Sequence, residues 1–239
     1  MVLSEFTRVD LAILLWLNSF VGRWPLFDDG VRVVSEWNFF RAAWLGLFLV
    51  WAWAKFSDHE SRLKLMAGLA GLGLATALSR LLQLALAVHP RPFTMVEELG
   101  LNVPRKLLTG WGHGNCYPSD TATLYFAFAA VIWSVSRTWG ALAVAWVAVV
   151  ICIPRIYLLY HWPSDIAAGF ALAFACVALL QANRHAMPSL AQAILLEKLR
   201  PHLFYPVMFL VLYQIIDSFD ALEQLLHHIG AVRKHGALT

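Results

Sequence analysis

Two long apolar runs joined by a short polar segment decide the fold, and together they read TWGALAVAWVAVVICIPRIYLLYHWPSDIAAGFALAFACVALLQA over residues 138–182. Each run is close to the roughly 20 apolar residues that a helix needs to cross a bilayer. Inside hydrocarbon the backbone must satisfy its own hydrogen bonds, as an α-helix does. The stretch therefore predicts two transmembrane helices connected at one membrane surface.

Similar apolar stretches fill most of the remaining chain. Of the 239 residues, 60% are hydrophobic and 14% are charged, and the mean hydropathy of +0.64 lies above the range of soluble proteins. The sequence predicts an all-α, polytopic membrane bundle with about six transmembrane helices, at residues 8–23, 37–56, 63–88, 118–137, 138–157 and 162–182. A shorter apolar run at 203–219 predicts an extra helix that spans the membrane, re-enters it or lies at its interface.

Composition narrows the classes of partner and cofactor. We treat residues 1–239 as one domain, with its core at about 37–182 and a polar tail at 220–239. The net charge is +3, but the basic residues sit beside apolar runs and form no continuous stripe, which favours a bilayer over nucleic acid as partner. The three cysteines form no CxxC pair, so we expect no disulfide framework, metal or cofactor. The oligomeric state stays open.

The short basic loops predict which way the chain faces. Lys55, Arg62 and Lys64 lie between the second and third expected spans, and Arg137 lies between the fourth and fifth. Loops of this kind face the cytoplasm. The long loop at 89–117 then lies on the opposite surface, which is the periplasmic face in a bacterial inner membrane.

The polar connection reads Arg155-Ile-Tyr-Leu-Leu-Tyr-His161-Trp-Pro-Ser-Asp165. Ionisable residues near membrane depth are costly and usually serve a function. Asp165, four residues after His161, is spaced to accept a hydrogen bond from one imidazole nitrogen and leave the other as a nucleophile. Arg155 offers paired donors for a phosphoryl group. The structural alternative is an interfacial anchor beside a capped helix.

Two further motifs are expected on the same face. The string Tyr117-Pro118-Ser119-Asp120-Thr121 is typical of a helix N-terminus, where N–H groups and the helix dipole favour phosphate. The string His89-Pro90-Arg91-Pro92 follows the third expected span, where its prolines end the helix and present Arg91 at the interface. Arg91 and Arg155 together predict a two-arginine clamp on a phosphate. The structural alternatives are helix caps with no catalytic role and an arginine that only anchors the interface.

The order Arg-Pro, Pro-Ser and Arg-x5-His-x3-Asp resembles the type 2 phosphatidic acid phosphatase family over roughly residues 80–170. The family pattern is Lys-x6-Arg-Pro, Pro-Ser-Gly-His and Ser-Arg-x5-His-x3-Asp, in membrane enzymes that need no metal. The resemblance implies that His161 is a nucleophile that forms a phosphohistidine and that Asp165 orients it. It also implies that Arg91, Arg155 and Ser119 bind the phosphate.

The chain departs from that pattern in its first and third motifs. Leu84 stands where the family has its lysine, and Pro154 replaces the serine of the third motif. Arg80 lies one turn before Leu84 on the same helix face, since residues four apart are neighbours. We therefore treat Arg80 as a possible supporting cation in place of the lysine.

The second motif departs further and bears on the substrate. Asp120 and Thr121 stand where the family has glycine and histidine, and that histidine is the expected acid for the leaving group. Threonine cannot replace it, which leaves Asp120 or His113 as alternative proton donors. Loss of the acid penalises a poor leaving group such as a lipid alkoxide more than a phosphate, so the sequence favours a lipid diphosphate over phosphatidic acid.

Three functions are consistent with these motifs. The first is hydrolysis of a polyprenyl diphosphate, such as undecaprenyl diphosphate, through a phosphohistidine. The second is a phosphotransferase or lipid-linked saccharide-processing enzyme that uses the same site with an acceptor other than water. The third is a non-catalytic binder or transporter of lipid phosphates. In all three the ligand is a lipid phosphate or diphosphate held at the bilayer.

Overall fold

A computed structural model describes residues 8–37, 39–104 and 115–216. Within these ranges the regular structure is helical, as the sequence predicts. The α-helices are α1 (Arg8–Asn18), α2 (Pro25–Glu36), α3 (Trp44–Lys55), α4 (His59–Ala85), α5 (Val96–Leu99), α6 (Asp120–Val135), α7 (Arg137–Trp146), α8 (Ile153–Tyr157), α9 (Pro163–Ala182), α10 (Pro188–Leu199) and α11 (Pro201–Ile216). Short π-helices precede α3 (Phe39–Ala43) and α8 (Val147–Cys152), and 3-10 turns cover Pro92–Met95 and Arg184–Ala186.

Three helices among the described residues are long and apolar enough to cross a membrane: His59–Ala85, Arg137–Tyr157 and Pro163–Ala182. The chain is accordingly a membrane protein. Shorter apolar helices occupy three other expected positions, namely Trp44–Lys55, Asp120–Val135 and Pro201–Tyr213. The predicted count of six spans is therefore not confirmed, because these shorter helices fall below the usual spanning length of about 20 residues.

The expected span at 8–23 is not one helix. α1 ends at Asn18, and its described part has 11 residues, a length of about 16 Å that does not by itself cross the hydrocarbon core. The chain then turns at Gly22, whose φ of +81° lies in the left-handed region that glycine adopts readily. The Gly22 N–H donates to Asp28 Oδ2 at 3.0 Å, which ties the turn to α2. Residues 8–36 thus form a pair of short helices.

The helices α4, α6 and α9 pack against one another and form the centre of the protein. Glycines allow their backbones to approach closely. A Cβ atom at Gly71 of α4 would lie 2.7 Å from Val177 Cα of α9, and one at Gly169 of α9 would lie 2.9 Å from the Ser119 carbonyl oxygen. The second contact sets α9 directly against the start of α6.

The helix from Arg137 to Tyr157 is continuous but not uniform. Its middle, Val147–Cys152, is π-helical, and the Ile153 N–H donates to the carbonyl of Ala148. Pro154 follows at once, and proline has no N–H to continue an α-helical ladder. The wider π turn accommodates the missing proline N–H, and Arg155 follows it near the end of this helix.

The chain divides into two compact units, Met1–His185 and Ala186–Thr239. Within the second unit, α11 covers most of the apolar run expected at 203–219 and contains Pro206. The Tyr205 hydroxyl donates to Glu197 Oε1 at 2.9 Å, joining α11 to α10. The polar tail expected at 220–239 lies outside the described residues.

We expect Gly169→Ala to destabilise the protein, because the added methyl group meets backbone rather than a movable side chain. Overpacking of this kind costs about 1–3 kcal/mol. Thermal unfolding of the detergent-solubilised protein measures the loss. Gly46→Ala in α3 is the matched control, since a Cβ there meets nothing within 4 Å. Equal unfolding temperatures for the two variants would contradict the close packing of α9 on α6.

Candidate active site

His161 lies in the short connection between α8 and α9. Leu159, two residues earlier, has a φ of +61°, a rare conformation for a residue with a side chain. This bend reverses the chain after α8, and the Tyr160 N–H donates to the Arg155 carbonyl at 2.9 Å. The turn places His161 in the protein interior, where its side chain is 2% exposed.

Asp165 is held in a fixed position by the first turn of α9. Its Oδ2 accepts the Trp162 N–H at 2.8 Å, while its own N–H donates to the Trp162 carbonyl at 3.1 Å. This reciprocal pair is a capping box, which satisfies N–H groups that a helix start otherwise leaves without partners. The carboxylate is fully buried as a result.

The two side chains face each other as the spacing predicts. His161 Nδ1 lies 3.5 Å from Asp165 Oδ2. Nδ1 is the nitrogen nearer the carboxylate, although the contact falls outside hydrogen-bond geometry, so Nε2 is the nitrogen that can turn its lone pair to a ligand. Burial lowers the pKa of His161 below its ordinary value of 6.5, against the opposing influence of the Asp165 carboxylate, and the Arg91 guanidinium lowers it further. The shift favours the neutral imidazole, which is the form that can act as a nucleophile.

Both predicted clamp arginines converge on the same turn. Arg91 Nη1 donates to the Tyr160 carbonyl at 3.0 Å. The Arg155 guanidinium carbon lies 5.5 Å from the centre of the Tyr160 ring, and the Arg155 side chain is buried. Two cations that both contact the residue before His161 give the turn a positive charge suited to an anionic ligand.

Ser119 connects the second motif to the third. Its N–H donates to the Asp165 carbonyl at 3.1 Å, and its Oγ accepts the Ala122 N–H at 3.2 Å as the cap of α6. The N-termini of α6 and α9 are thus joined directly, as the close approach at Gly169 requires. The hydroxyl hydrogen of Ser119 can still be donated to a ligand.

The unusual residues of the first and second motifs meet one another. Arg80 Nη1 lies 3.3 Å from Asp120 Oδ2, and Asp120 Oδ1 accepts the Thr121 N–H at 2.7 Å. Arg80 therefore reaches the start of α6, as its position one turn before Leu84 allows. Leu84, at the position of the family lysine, is 84% exposed and has no polar group to contribute to this cluster. His113, the other suggested proton donor, lies outside the described residues.

The structure adds residues that the motif analysis did not select. His89 Nδ1 lies 3.9 Å from the second carboxylate oxygen of Asp165, and the buried Cys116 lies beside the same group. His89 was visible in the string that supplied Arg91, but no sequence signal linked it to Asp165. Cys116 belongs to no CxxC pair, so its spacing gave no sign of a role.

The two N-terminal helices also support the site. The buried Asp10 of α1 accepts the Ser164 N–H through Oδ1 at 2.7 Å, in the first turn of α9. The buried Asp28 of α2 accepts a hydrogen bond from the Tyr157 hydroxyl at the end of α8. A carboxylate within an apolar helix was the available signal for Asp10, although its partner lies 154 residues away.

Comparison with known proteins agrees with this geometry. The chain matches the PAP2 superfamily over residues 64–186, a range that includes all three motifs. It is 30% identical over 122 residues to a protein of Escherichia coli (strain K12) named "Putative undecaprenyl-diphosphatase YbjG". That match covers 51% of this chain and 56% of the relative. No solved structure gives a significant match.

We expect Asp10→Ala to weaken the start of α9, because it leaves the Ser164 N–H without its acceptor. Loss of such a buried partner costs about 1–3 kcal/mol. Chemical or thermal unfolding in detergent measures the change. Asp29→Ala is the control, since the Asp29 side chain is 44% exposed on α2 and surface changes usually stay within about 0.5 kcal/mol. Similar losses in both variants would argue against this role for Asp10.

Proposed function

The chain belongs to the PAP2 superfamily, and from that premise we propose that it is a membrane phosphatase that hydrolyses a lipid-linked diphosphate by nucleophilic attack of His161. The observation that carries the proposal is the buried pair formed by His161 Nδ1 and Asp165 Oδ2 at 3.5 Å, with Arg91 and Arg155 both in contact with the preceding residue, Tyr160. An imidazole beside a carboxylate, with two cations on the adjacent residue, is suited to attack on phosphorus.

In the first chemical step, the lone pair of His161 Nε2 attacks the terminal phosphorus of the diphosphate. The Nε2–P bond forms while the bond from phosphorus to the bridging oxygen breaks, and its electron pair leaves with the lipid monophosphate. Asp165 stabilises the positive charge that develops on the imidazole. Arg91 and Arg155 stabilise the negative charge on the phosphoryl oxygens, through donors suited to a planar group of oxygens.

In the second step, water attacks the phosphohistidine. A new P–O bond forms, the P–N bond breaks, and its electron pair returns to Nε2. The released phosphate and solvent take up the proton from water. His161 is thereby regenerated in the neutral form that the buried site favours.

The second motif supports a diphosphate rather than a monoester as substrate. Asp120 lies 3.3 Å from the Arg80 guanidinium, and an adjacent cation favours the ionised carboxylate. Asp120 is therefore a poor proton donor, and Thr121 has no acidic proton. General acid catalysis contributes roughly 10²–10⁴-fold in rate, and a leaving phosphate needs that help less than an alkoxide does.

The name of the bacterial relative supports undecaprenyl diphosphate as the specific lipid. The charge distribution supports a bacterial inner membrane with the site facing the periplasm. Arg62 lies near the start of α4 and Arg137 at the start of α7, whereas Arg91 and His161 follow the opposite ends of the same two rods. Cytoplasmic basic loops would thus place the site on the periplasmic side.

We expect His161→Ala to abolish phosphate release from undecaprenyl diphosphate, with a loss of roughly 10³-fold or more for removal of a nucleophile. Phosphate release by purified protein, with unfolding temperature as a check on folding, measures this. His59→Ala, at the exposed start of α4, is the control and should retain turnover. Undiminished turnover in His161→Ala would exclude His161 as the nucleophile. Product that forms only with an added acceptor would identify a phosphotransferase instead.

We expect Thr121→His to raise turnover of phosphatidate and undecaprenyl monophosphate more than turnover of undecaprenyl diphosphate, because it restores an acid for the alkoxide leaving group. The gain for monoesters should be at least about 10-fold, and at most the roughly 10²–10⁴-fold that a general acid contributes. Thr121→Asn is the control, since an amide cannot donate a proton to the leaving group in this way. Equal effects of both substitutions, or equal effects on all substrates, would contradict the argument from the leaving group.

A further inference from the structure

Three potential metal ligands from three separate parts of the chain meet at Asp165. They are His89, which follows α4, Cys116, which precedes α6, and Asp165 itself, in the first turn of α9. One nitrogen, one sulfur and one oxygen from these side chains all lie within 4.8 Å of one another. We propose that this cluster binds a divalent transition metal ion, with Zn²⁺ the best match, and that the bound ion inhibits the enzyme.

The distances suit an ion of this size. His89 Nδ1 and Asp165 Oδ1 are 3.9 Å apart. In a tetrahedral zinc site the metal–ligand bonds of about 2.0–2.3 Å place neighbouring ligand atoms about 3.3–3.7 Å apart. The three atoms therefore need to approach by less than about 1.5 Å, which side-chain rotation can supply. The fourth position remains for water, as in zinc sites with three protein ligands.

The chemistry of the cluster selects the kind of metal. Imidazole nitrogen and thiolate sulfur favour zinc and related ions over Mg²⁺ or Ca²⁺, which prefer oxygen ligands. On binding, the Cys116 thiol would release its proton to solvent and coordinate as thiolate. The change is a ligand exchange without oxidation or reduction.

Asp165 supplies an independent reason to expect a cation here. Its side chain is fully buried, and no donor within the described part of the chain meets Oδ1 in hydrogen-bond geometry. A buried carboxylate oxygen without a donor is unfavourable, and a cation beside it removes that cost. Oδ2, by contrast, accepts the Trp162 N–H and faces His161. The two oxygens of one carboxylate thus serve two different sites.

Inhibition follows from that sharing and rests on the proposed function. A metal on Oδ1 withdraws negative charge from the carboxylate that orients His161. The developing imidazolium would then lose part of its stabilisation, and phosphoryl transfer would slow. Binding of the metal itself depends only on the cluster and is testable without any activity.

The binding test uses Co²⁺ as a spectroscopic probe with the purified full-length protein. We expect a near-ultraviolet thiolate-to-cobalt absorption band that saturates at one ion per chain and is displaced by Zn²⁺. Cys116→Ser should abolish the band, and His89→Gln should weaken cobalt binding by about 10–100-fold. Cys176→Ser is the matched control, since Cys176 is a buried cysteine in the body of α9, and it should retain the band.

Absence of the band in the wild-type protein, or its survival in Cys116→Ser, would overturn the site. The activity test measures phosphate release by the wild type and by each variant with and without Zn²⁺. For each protein, the rate with Zn²⁺ is compared with the rate of the same protein without it. Phosphate release should fall with Zn²⁺ in wild type and Cys176→Ser, recover with a chelator, and resist Zn²⁺ in Cys116→Ser. A cobalt band with zinc-resistant activity would refute inhibition alone. A protein that binds cobalt but releases no phosphate would refute the proposed function and leave the metal site standing.

Discussion

The site depends on the carboxylate of Asp165 and the turn of helix that fixes it. One oxygen caps α9 through the Trp162 N–H and faces His161, while the Asp165 carbonyl accepts the Ser119 N–H that begins α6. A single residue therefore lies beside the imidazole and fixes the relative position of two helix N-termini. Because these contacts are buried, any movement of α9 changes the geometry of the whole site. The close contact of Gly169 with Ser119 restricts such movement.

Two residues that distinguish this chain from the family pattern, Arg80 and Asp120, contact each other. Arg80 replaces the missing lysine in charge but not in position, and it pairs with Asp120, which itself replaces a glycine. The added negative charge near the proposed phosphate site is thus matched by an added positive charge on a neighbouring helix. The pair keeps the local charge balanced, and under the proposed function it supplies no proton to a leaving group. Under the proposed function, such a site can bind a lipid phosphate but lacks the acid that cleavage of a monoester needs.

The sequence predicted the parts of the site that depend on local spacing. His161 and Asp165 meet because they are four residues apart across a helix start, and the Pro-Ser string marked the N-terminus of α6 because proline and serine suit a first turn. The six-span prediction is not confirmed, since an apolar run such as 8–23 does not reveal where a helix stops. The contacts of Asp10, His89 and Cys116 join distant segments, and no local pattern encodes them.

The π-helical segment between α7 and α8 has a consequence for how such a site is gained or lost. A π turn holds an extra residue compared with an α turn, so the two ends of the rod are out of phase by about 100° relative to a regular helix. Deleting one residue from 147–152 would turn Arg155 and Tyr157 away from their present neighbours, whereas most substitutions there would leave the phase intact. The orientation of Arg155 and Tyr157 therefore depends on the number of residues in this segment. An insertion or deletion there changes that orientation more than a substitution does.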